Sequence, residues 1–223
     1  MYKIFPKKRY QKTLSILKQY APQGSTILDV GVENPFSGVM QQEGYTVLNT
    51  TGQDLDFESH SLQAFKADFT VALEILEHLV NPLAVLQNLT TKRVLITVPL
   101  RLWFAKAYRN TSDPRDCHYH EFEDWQLDML VEKAGFRIIY REKWTHPVKK
   151  FGLRPLLRYF TNRYYAVVAE RKIIVESPFG REIKQIATNQ TSYSTTDRSE
   201  LDGFSTDDSF IKHHCSTDWL SFS

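Results

Sequence analysis

The chain has 223 residues, a formal net charge of +2 at pH 7 and a 42% share of hydrophobic residues. This length and composition suit one globular domain with a tail, and they exclude a chain that is wholly disordered. Its two cysteines, Cys117 and Cys215, lie far apart without metal-type spacing, which argues against a disulfide framework and favours a reducing compartment. We expect a cytoplasmic protein without membrane insertion, because the sequence contains neither a signal-peptide core nor an apolar run of spanning length.

The first predicted elements are a helix and a buried strand. Tyr10, Leu14 and Leu17 share one face of an amphipathic helix over residues 6–20, which should pack beside a sheet. The short apolar run 27–32 then fits a strand that is buried on both faces, as strands of parallel sheets are.

A turn follows this strand and leads into the next helix. Asn34 suits the N-cap of that helix, Pro35 its first position and Gly44 its end. In α/β sheets such a turn lies at the carboxyl end of the strand, where nucleotide-type ligands bind. Gly31 fills the first glycine position of a dinucleotide-binding turn, but Glu33 and Pro35 replace the next two. A carboxylate there would repel a phosphate and not a cation. The alternative is that the turn only ends a strand and caps a helix.

The rest of the domain alternates strands and helices and closes with two strands. Strands are predicted over residues 45–50, 69–76, 93–100, 136–142 and 164–171, and helices over residues 82–89, 123–134 and 155–160. Residues 51–68 are too few for a full strand-helix-strand unit, so we predict a condensed connection there. Two long connections, 101–120 and 143–163, should cover the edge of the sheet.

The composition changes after about residue 174. The segment beyond it is polar and weakly patterned, with acidic residues at Asp197, Glu200, Asp202, Asp207 and Asp208. Such a segment cannot bury enough apolar surface to order itself. We therefore predict a folded domain over residues 1–175 and a disordered, acidic tail rich in Ser and Thr over residues 176–223.

Three short motifs lie at the ends of predicted strands or in the loop after one. They are Asp29-Val30-Gly31, the segment LEILEH at residues 73–78 followed by Asn-Pro, and HYHEF at residues 118–122. In order and spacing they resemble motifs of class I S-adenosylmethionine-dependent methyltransferases, such as the type 11 and type 23 methyltransferase domains, over residues 24–172. The resemblance implies an α/β, Rossmann-like three-layer sandwich with a mostly parallel seven-stranded sheet whose last strand is antiparallel.

The resemblance also implies a cofactor and a reaction. S-adenosylmethionine carries a sulfonium and an ammonium group and no phosphate, which suits the acidic turn. The residues implied to bind it are Asp29, Gly31, Glu33, Thr51, Asp54, Leu55, Glu74 and Ile75. Its methyl group would pass to an oxygen or nitrogen nucleophile of a small molecule or RNA. Structurally, Asp29 could instead be a strand-end carboxylate that backbone N–H groups satisfy.

The sequence departs from this family at the end of the second strand. The acidic residue that holds the ribose hydroxyls is absent, because Asn49, Thr50 and Thr51 stand there, with Asp54 in the next turn. Thr51 would be a weaker substitute for a carboxylate. Together with Glu33, this departure favours the alternative function, a catalytically inactive methyltransferase-like protein that binds partners.

His78 and His120 are the candidate catalytic bases. They follow neighbouring strands of the predicted sheet, whose carboxyl ends open on the same edge, so both should face one cavity. Glu77 and His78 could equally form a polar junction between a strand and a helix. In methyltransferases that modify the 3′ end of small RNAs, a similar Glu-x-x-Glu-His with a loop histidine binds a divalent ion. Here Glu74, Glu77, His78 and His120 could supply such ligands, although metal-free relatives carry the same segments.

The two long connections share an unusual composition. Their basic residues are Arg101, Lys106, Arg109, Arg115, Lys149, Lys150, Arg154, Arg158 and Arg163, and aromatic residues lie between them. This composition suits an anionic, aromatic or nucleic-acid acceptor. The alternative is that long cationic side chains cover apolar surface while their charged ends stay in water.

Overall fold

Strands and helices alternate along the chain in the computed structural model, which describes residues 7–113, 116–147, 151–172, 175–177 and 180–182. The helices are α1 (Lys7–Tyr20), α2 (Pro35–Gln42), α3 (Leu55–Glu58), α4 (Pro82–Asn88), α5 (Asp124–Lys133) and α6 (Leu153–Phe160), with 3-10 turns at Ser59–Ala64 and Leu76–His78. The strands are β1 (Thr26–Asp29), β2 (Thr46–Asn49), β3 (Phe69–Leu73), β4 (Arg93–Pro99), β5 (Phe136–Thr145), β6 (Asn162–Arg171), β7 (Val175–Ser177) and β8 (Gly180–Glu182).

The main sheet is mostly parallel and has the strand order β2-β1-β3-β4-β6-β5. Strands β1 to β4 pair in parallel, whereas β6, the last strand of the sheet, runs antiparallel to both of its neighbours. The predicted α/β class and the antiparallel last strand are thus confirmed. The predicted count of seven strands is wrong, because the main sheet has six. The chain between β2 and β3 forms only α3 and a 3-10 turn, which leaves no segment for the seventh strand.

Helices cover both faces of the sheet. Ile27 and Leu28 are consecutive residues of β1 and are buried in the clusters on opposite faces. Helices α4 and α5 contribute to the cluster that contains Leu28, and α1 and α2 to the other. Tyr10 and Leu17 of α1 are buried, as the predicted amphipathic helix requires. This arrangement is the three-layer sandwich.

A short hairpin lies at the start of the segment that we predict as a tail. Strands β7 and β8 pair with each other in antiparallel fashion, apart from the main sheet. The remainder of that segment, residues 183–223, lies outside the described residues, so the disordered tail and the domain boundary stay predictions. Among the described helices, none combines the length and the apolar character needed to cross a membrane.

Candidate active site

The carboxyl ends of β1, β3 and β4 border one cleft, and α1 contributes residues to its wall. We call it the β1–β3 cleft. Its lining residues are Arg9, Tyr10, Thr13, Asp29, Val30, Gly31, Val32, Asn34, Phe36, Leu73, Glu74, Ile75 and Thr97. The structure therefore brings together four of the predicted cofactor-binding residues: Asp29, Gly31, Glu74 and Ile75.

The turn after β1 requires a glycine at position 31. Gly31 has a φ of +135°, a conformation that L-residues with side chains rarely adopt. A Cβ atom at this position would lie 3.7 Å from Cδ1 of Ile75, across the cleft wall. The Gly31 N–H donates a hydrogen bond of 3.0 Å to Oγ1 of Thr50, which ties the turn to the end of β2.

Asp29 is the centre of a hydrogen-bond network behind this turn. Its Oδ2 accepts bonds from Nδ2 of Asn34 at 2.9 Å, Oγ of Ser37 at 2.8 Å and Nδ2 of Asn49 at 3.1 Å. Burial raises the pKa of the Asp29 carboxyl, and these bonds oppose that rise. Three side chains therefore satisfy the carboxylate. The alternative role considered from the sequence had backbone N–H groups as its hydrogen-bond donors.

The same network explains what replaces the missing acidic residue after β2. The Asn49 side chain turns inward, to Asp29 and to the carbonyl oxygen of Gly31 at 3.3 Å. Thr50 is buried and accepts from the Gly31 N–H. Thr51 alone of the three candidates is exposed. Any ribose contact from this strand end would therefore come from Thr51.

Four predicted cofactor-binding residues lie outside the lining of the β1–β3 cleft: Glu33, Thr51, Asp54 and Leu55. Glu33, Thr51 and Asp54 are exposed, whereas Leu55 is buried in the core. Asp54 has a local structural role, because its Oδ1 accepts from the N–H of Asp56 at 3.1 Å and caps α3.

Glu74 directly follows β3 and has a left-handed backbone conformation. Its φ of +55° is the one positive φ among the described residues other than glycine. Oε1 accepts from Oγ1 of Thr97 at 3.0 Å, and Oε2 lies 3.3 Å from Nη1 of Arg9. Burial raises the pKa of the Glu74 carboxyl, while Arg9 and Thr97 oppose the shift.

A second group of polar side chains surrounds His78. Nδ1 of His78 lies 3.0 Å from the carbonyl oxygen of Cys117, and its ring packs edge-on against His118 at 4.9 Å between centroids. Nδ1 of His118 is 3.0 Å from Oε1 of Glu121. Burial lowers the pKa of His118, and Glu121 opposes this effect.

His118, and not the predicted His120, is the histidine that contacts His78. The N–H groups of Tyr119 and His120 both donate to the carbonyl oxygen of Glu77, at 2.8 and 3.2 Å. In this loop the His120 side chain is half-buried, with Nε2 3.4 Å from the carbonyl oxygen of Val80. The expectation that His78 and His120 face one cavity remains untested, whereas the His78–His118 contact is observed.

Glu77 completes a candidate divalent-ion site. Its side chain is 1% exposed, and its Oε2 is buried without a hydrogen-bond partner among the described residues. Burial raises the pKa of Glu77 well above its usual range, and the negative charge of the nearby Glu74 raises it further. One ligand atom each from Glu77, His78 and His118 lie within 4.8 Å of one another. One carboxylate and two imidazoles suit a transition-metal ion, and the buried oxygen without a partner fits such a ligand set.

Comparison with known proteins establishes the architecture. No protein-family model matches the chain, and no curated protein matches it. A candidate S-adenosylmethionine-dependent methyltransferase from Listeria monocytogenes superposes with a TM-score of 0.52 at 12% identity, over 74% of this chain and 99% of its own. A candidate methyltransferase from Bacillus halodurans gives 0.50 at 11% identity, over 73% and 98%. The chain has the fold of S-adenosylmethionine-dependent methyltransferases.

Two of the cleft residues that had not been predicted from the sequence, Arg9 and Thr97, contact Glu74. Arg9 lies over the Tyr164 ring at 5.5 Å and beside Glu74, so α1 contributes a cation to the cleft. The sequence signal that could have predicted this role of Arg9 was its position next to Tyr10, which faces inward. Thr97 lay within an apolar strand, where nothing in the local pattern distinguished it.

Proposed function

We propose that the protein binds S-adenosylmethionine in the β1–β3 cleft and transfers its methyl group to an oxygen or nitrogen nucleophile of a small molecule or RNA. The observation that carries this proposal is the junction of Gly31 and Glu74. A glycine-only turn and a strained, buried carboxylate meet at the carboxyl edge of a methyltransferase fold. Ligands bind at this edge in open α/β sheets.

The charges in the cleft match the charges of this cofactor. Asp29 and Glu74 offer carboxylates to a sulfonium and an ammonium group, and the Arg9 guanidinium can hold a carboxylate. A dinucleotide would bring phosphates against the same two acidic residues, which disfavours that alternative. Thr51 and Asp54 are our candidates for the ribose hydroxyls, because both are exposed after β2.

The chain's own residues would mainly orient the reactants. When bound, the cofactor supplies an electrophilic methyl group for an in-line displacement. The nucleophile must be held in line with it and must lose a proton if it is a weak nucleophile. His78 is our first candidate for that proton, since the Cys117 carbonyl at Nδ1 favours the tautomer whose Nε2 is the acceptor. His120 stays a second candidate on the same loop as His118.

A second candidate function is an inactive methyltransferase-like protein that binds partners. The inward turn of Asn49 and the burial of Thr50 favour it, because a ribose would lack a carboxylate partner at this strand end. Retention of the Glu77, His78 and His118 cluster disfavours it, since a pure scaffold has no need of such a group.

An isotope-transfer assay separates these two functions. The full chain is incubated with methyl-labelled S-adenosylmethionine and, in separate arms, with a small-molecule extract and with an RNA pool. We expect label in one acceptor pool, at a rate that His78→Ala lowers by roughly 10²–10⁴-fold. Cofactor binding without transfer in either pool would contradict the enzyme and support the binding protein.

A further inference from the structure

Helix α6 has an apolar face that the described part of the chain leaves uncovered. Phe151, Leu153, Leu156 and Phe160, which we call the α6 face, are all exposed, Leu156 by 54% and Phe160 by 82%. Leu153, Leu156 and Phe160 follow the spacing i, i+3 and i+7, so they lie along one side of the helix. No residue of α6 is buried.

Exposed apolar side chains are concentrated in this part of the molecule. Of the thirteen large apolar side chains that are exposed among the described residues, seven belong to α6, to Phe151 two residues before it, or to residues 100–113 of the loop after β4. The seven are Trp103, Tyr108, Phe151, Leu153, Leu156, Tyr159 and Phe160. Single exposed apolar residues are ordinary, whereas a cluster marks an interaction surface.

Cations border the α6 face. Five basic side chains line one cleft between α6 and the loop after β4: Lys106, Arg109, Arg154, Arg158 and Arg163. Within the described residues, no ion pair joins any of the five to an acidic side chain. The single carboxylate in the lining, Glu121, is engaged with the Tyr108 N–H and with His118. Burial lowers the pKa of Arg158, and the positive charges of the nearby Arg163 and Arg154 lower it further.

We propose that the α6 face and its basic cleft form a docking surface for an anionic lipid bilayer. Exposed Leu and Phe side chains beside arginines are the composition of helices that lie in the membrane interface. Phe and Leu would enter the boundary between head groups and acyl chains, and the arginines would contact lipid phosphates. Surface binding of this kind needs no membrane-spanning helix.

Charge complementarity selects this occupant over a second copy of the chain. A second copy would bring the same five cations to the interface, where they would repel one another. A bilayer that contains anionic lipid supplies negative charge over a wide area and an apolar layer beneath it. This inference does not rest on methyl transfer, and its test uses neither cofactor nor acceptor.

Vesicle co-sedimentation of the full chain tests the proposal. We expect binding to phosphatidylcholine vesicles that contain about one-third phosphatidylglycerol, and on the order of tenfold weaker binding to pure phosphatidylcholine. Raising NaCl from about 0.1 M to about 0.5 M should weaken the binding, because the Debye length shortens. Leu156→Ser/Phe160→Ser and Arg154→Ala/Arg158→Ala should each reduce binding by at least about tenfold.

The matched control is Phe57→Ser on α3, which removes another exposed aromatic side chain, 83% exposed, and should leave binding unchanged. All substituted side chains are exposed except that of Arg158, which is half-buried, so circular dichroism melts should stay close to that of the wild type. Absence of wild-type binding to the anionic vesicles at low salt would overturn the proposal. So would equal loss in the Phe57→Ser control. A change in sedimentation coefficient of Leu156→Ser/Phe160→Ser, without vesicle binding by the wild type, would instead assign the face to contact between copies.

Discussion

All three hydrogen bonds to the Asp29 side chain end on a single oxygen, Oδ2. An amide oxygen has two lone pairs and can still accept from these donors, so Asp29→Asn keeps most of the contacts and removes a buried charge. Because burial raises the pKa of Asp29 in the folded state, its ionisation opposes folding as the pH rises above the ordinary value of 3.8. We therefore expect Asp29→Asn to be more stable than wild type at neutral pH.

The sign of this effect follows from proton linkage. The protonated Asp29 stabilises the fold at low pH, and that contribution is lost as the pH rises through the folded-state pKa. The difference between the variant and the wild type should grow with pH and then level off. Chemical denaturation between about pH 4 and about pH 8 measures it. A variant that is less stable than the wild type throughout this range would show that the carboxylate itself holds the turn.

As an alternative to His78 as the proton acceptor, the Glu77, His78 and His118 cluster predicts binding of a divalent transition-metal ion, because one imidazole nitrogen cannot both ligate a metal and accept a proton. Equilibrium dialysis with Mn²⁺ or Zn²⁺ should show one ion per chain, and His118→Ala should weaken binding by on the order of tenfold or more. The matched control is His120→Ala, whose side chain lies at Val80 instead. Loss of the ion in His120→Ala and not in His118→Ala would restore the ligand set expected from the sequence.

Local sequence patterns could not predict which of His118 and His120 contacts His78. The sequence predicts a histidine-bearing loop near the end of β3, because the motif order places it there. Which histidine turns inward depends on two backbone hydrogen bonds to the Glu77 carbonyl oxygen. Those bonds join residues about forty positions apart, and no local periodicity encodes them.

At the scale of single elements, the turn between β1 and α2 gives the sharpest test. Gly31 has a φ of +135°, so Gly31→Ala should lower the free energy of unfolding by about 1–3 kcal/mol and weaken cofactor binding. Gly38, inside α2, is the matched control, because a Cβ there meets no atom within 4 Å. Gly38→Ala should stabilise the protein by roughly 0.5–1 kcal/mol, since alanine favours a helix.

Urea denaturation measures both glycine variants, and titration with S-adenosylmethionine measures their affinity. If Gly31→Ala had the same free energy of unfolding and the same cofactor affinity as Gly38→Ala, the turn would be neither strained by a side chain nor in contact with the cofactor. The argument that this turn needs a glycine would then be wrong.

Elements with strong end signals could be predicted from the sequence. Asn34 caps α2 with a bond from the Phe36 N–H, Pro35 occupies its first position, and Gly44 follows its end with a φ of +89°. These signals act over three or four residues, so the sequence contains them in full. Arg9 could not be predicted in this way, because its partner Glu74 lies 65 positions away in the chain. The helical pattern of α1 predicts only that this helix packs on the sheet.

At the scale of the whole molecule, the seventh strand was the main error. The hydrophobic pattern of the chain predicts six strands and a condensed connection over residues 51–68, and only the family resemblance implies a seventh. The structure has the short helices of that connection and six strands. The length of the segment between β2 and β3 therefore predicts the number of strands more accurately than the family resemblance does.

The tail gives a prediction at this scale. Removal of residues 183–223 should leave the melting temperature nearly unchanged, because their polar, acidic composition offers little apolar surface to bury. Differential scanning calorimetry of the full and shortened chains makes the comparison. A large drop in melting temperature on shortening would mean that the tail packs on the domain.

The central claim is that the β1–β3 cleft holds S-adenosylmethionine, and calorimetric titration of three proteins tests it most directly. Wild type should bind one molecule per chain, and Glu74→Gln should bind on the order of tenfold more weakly, because a buried carboxylate that faces the cationic cofactor is lost. Glu58→Gln, an exposed glutamate on α3, should bind as wild type does. Absence of heat from wild type, or equal affinities in all three proteins, would contradict the claim.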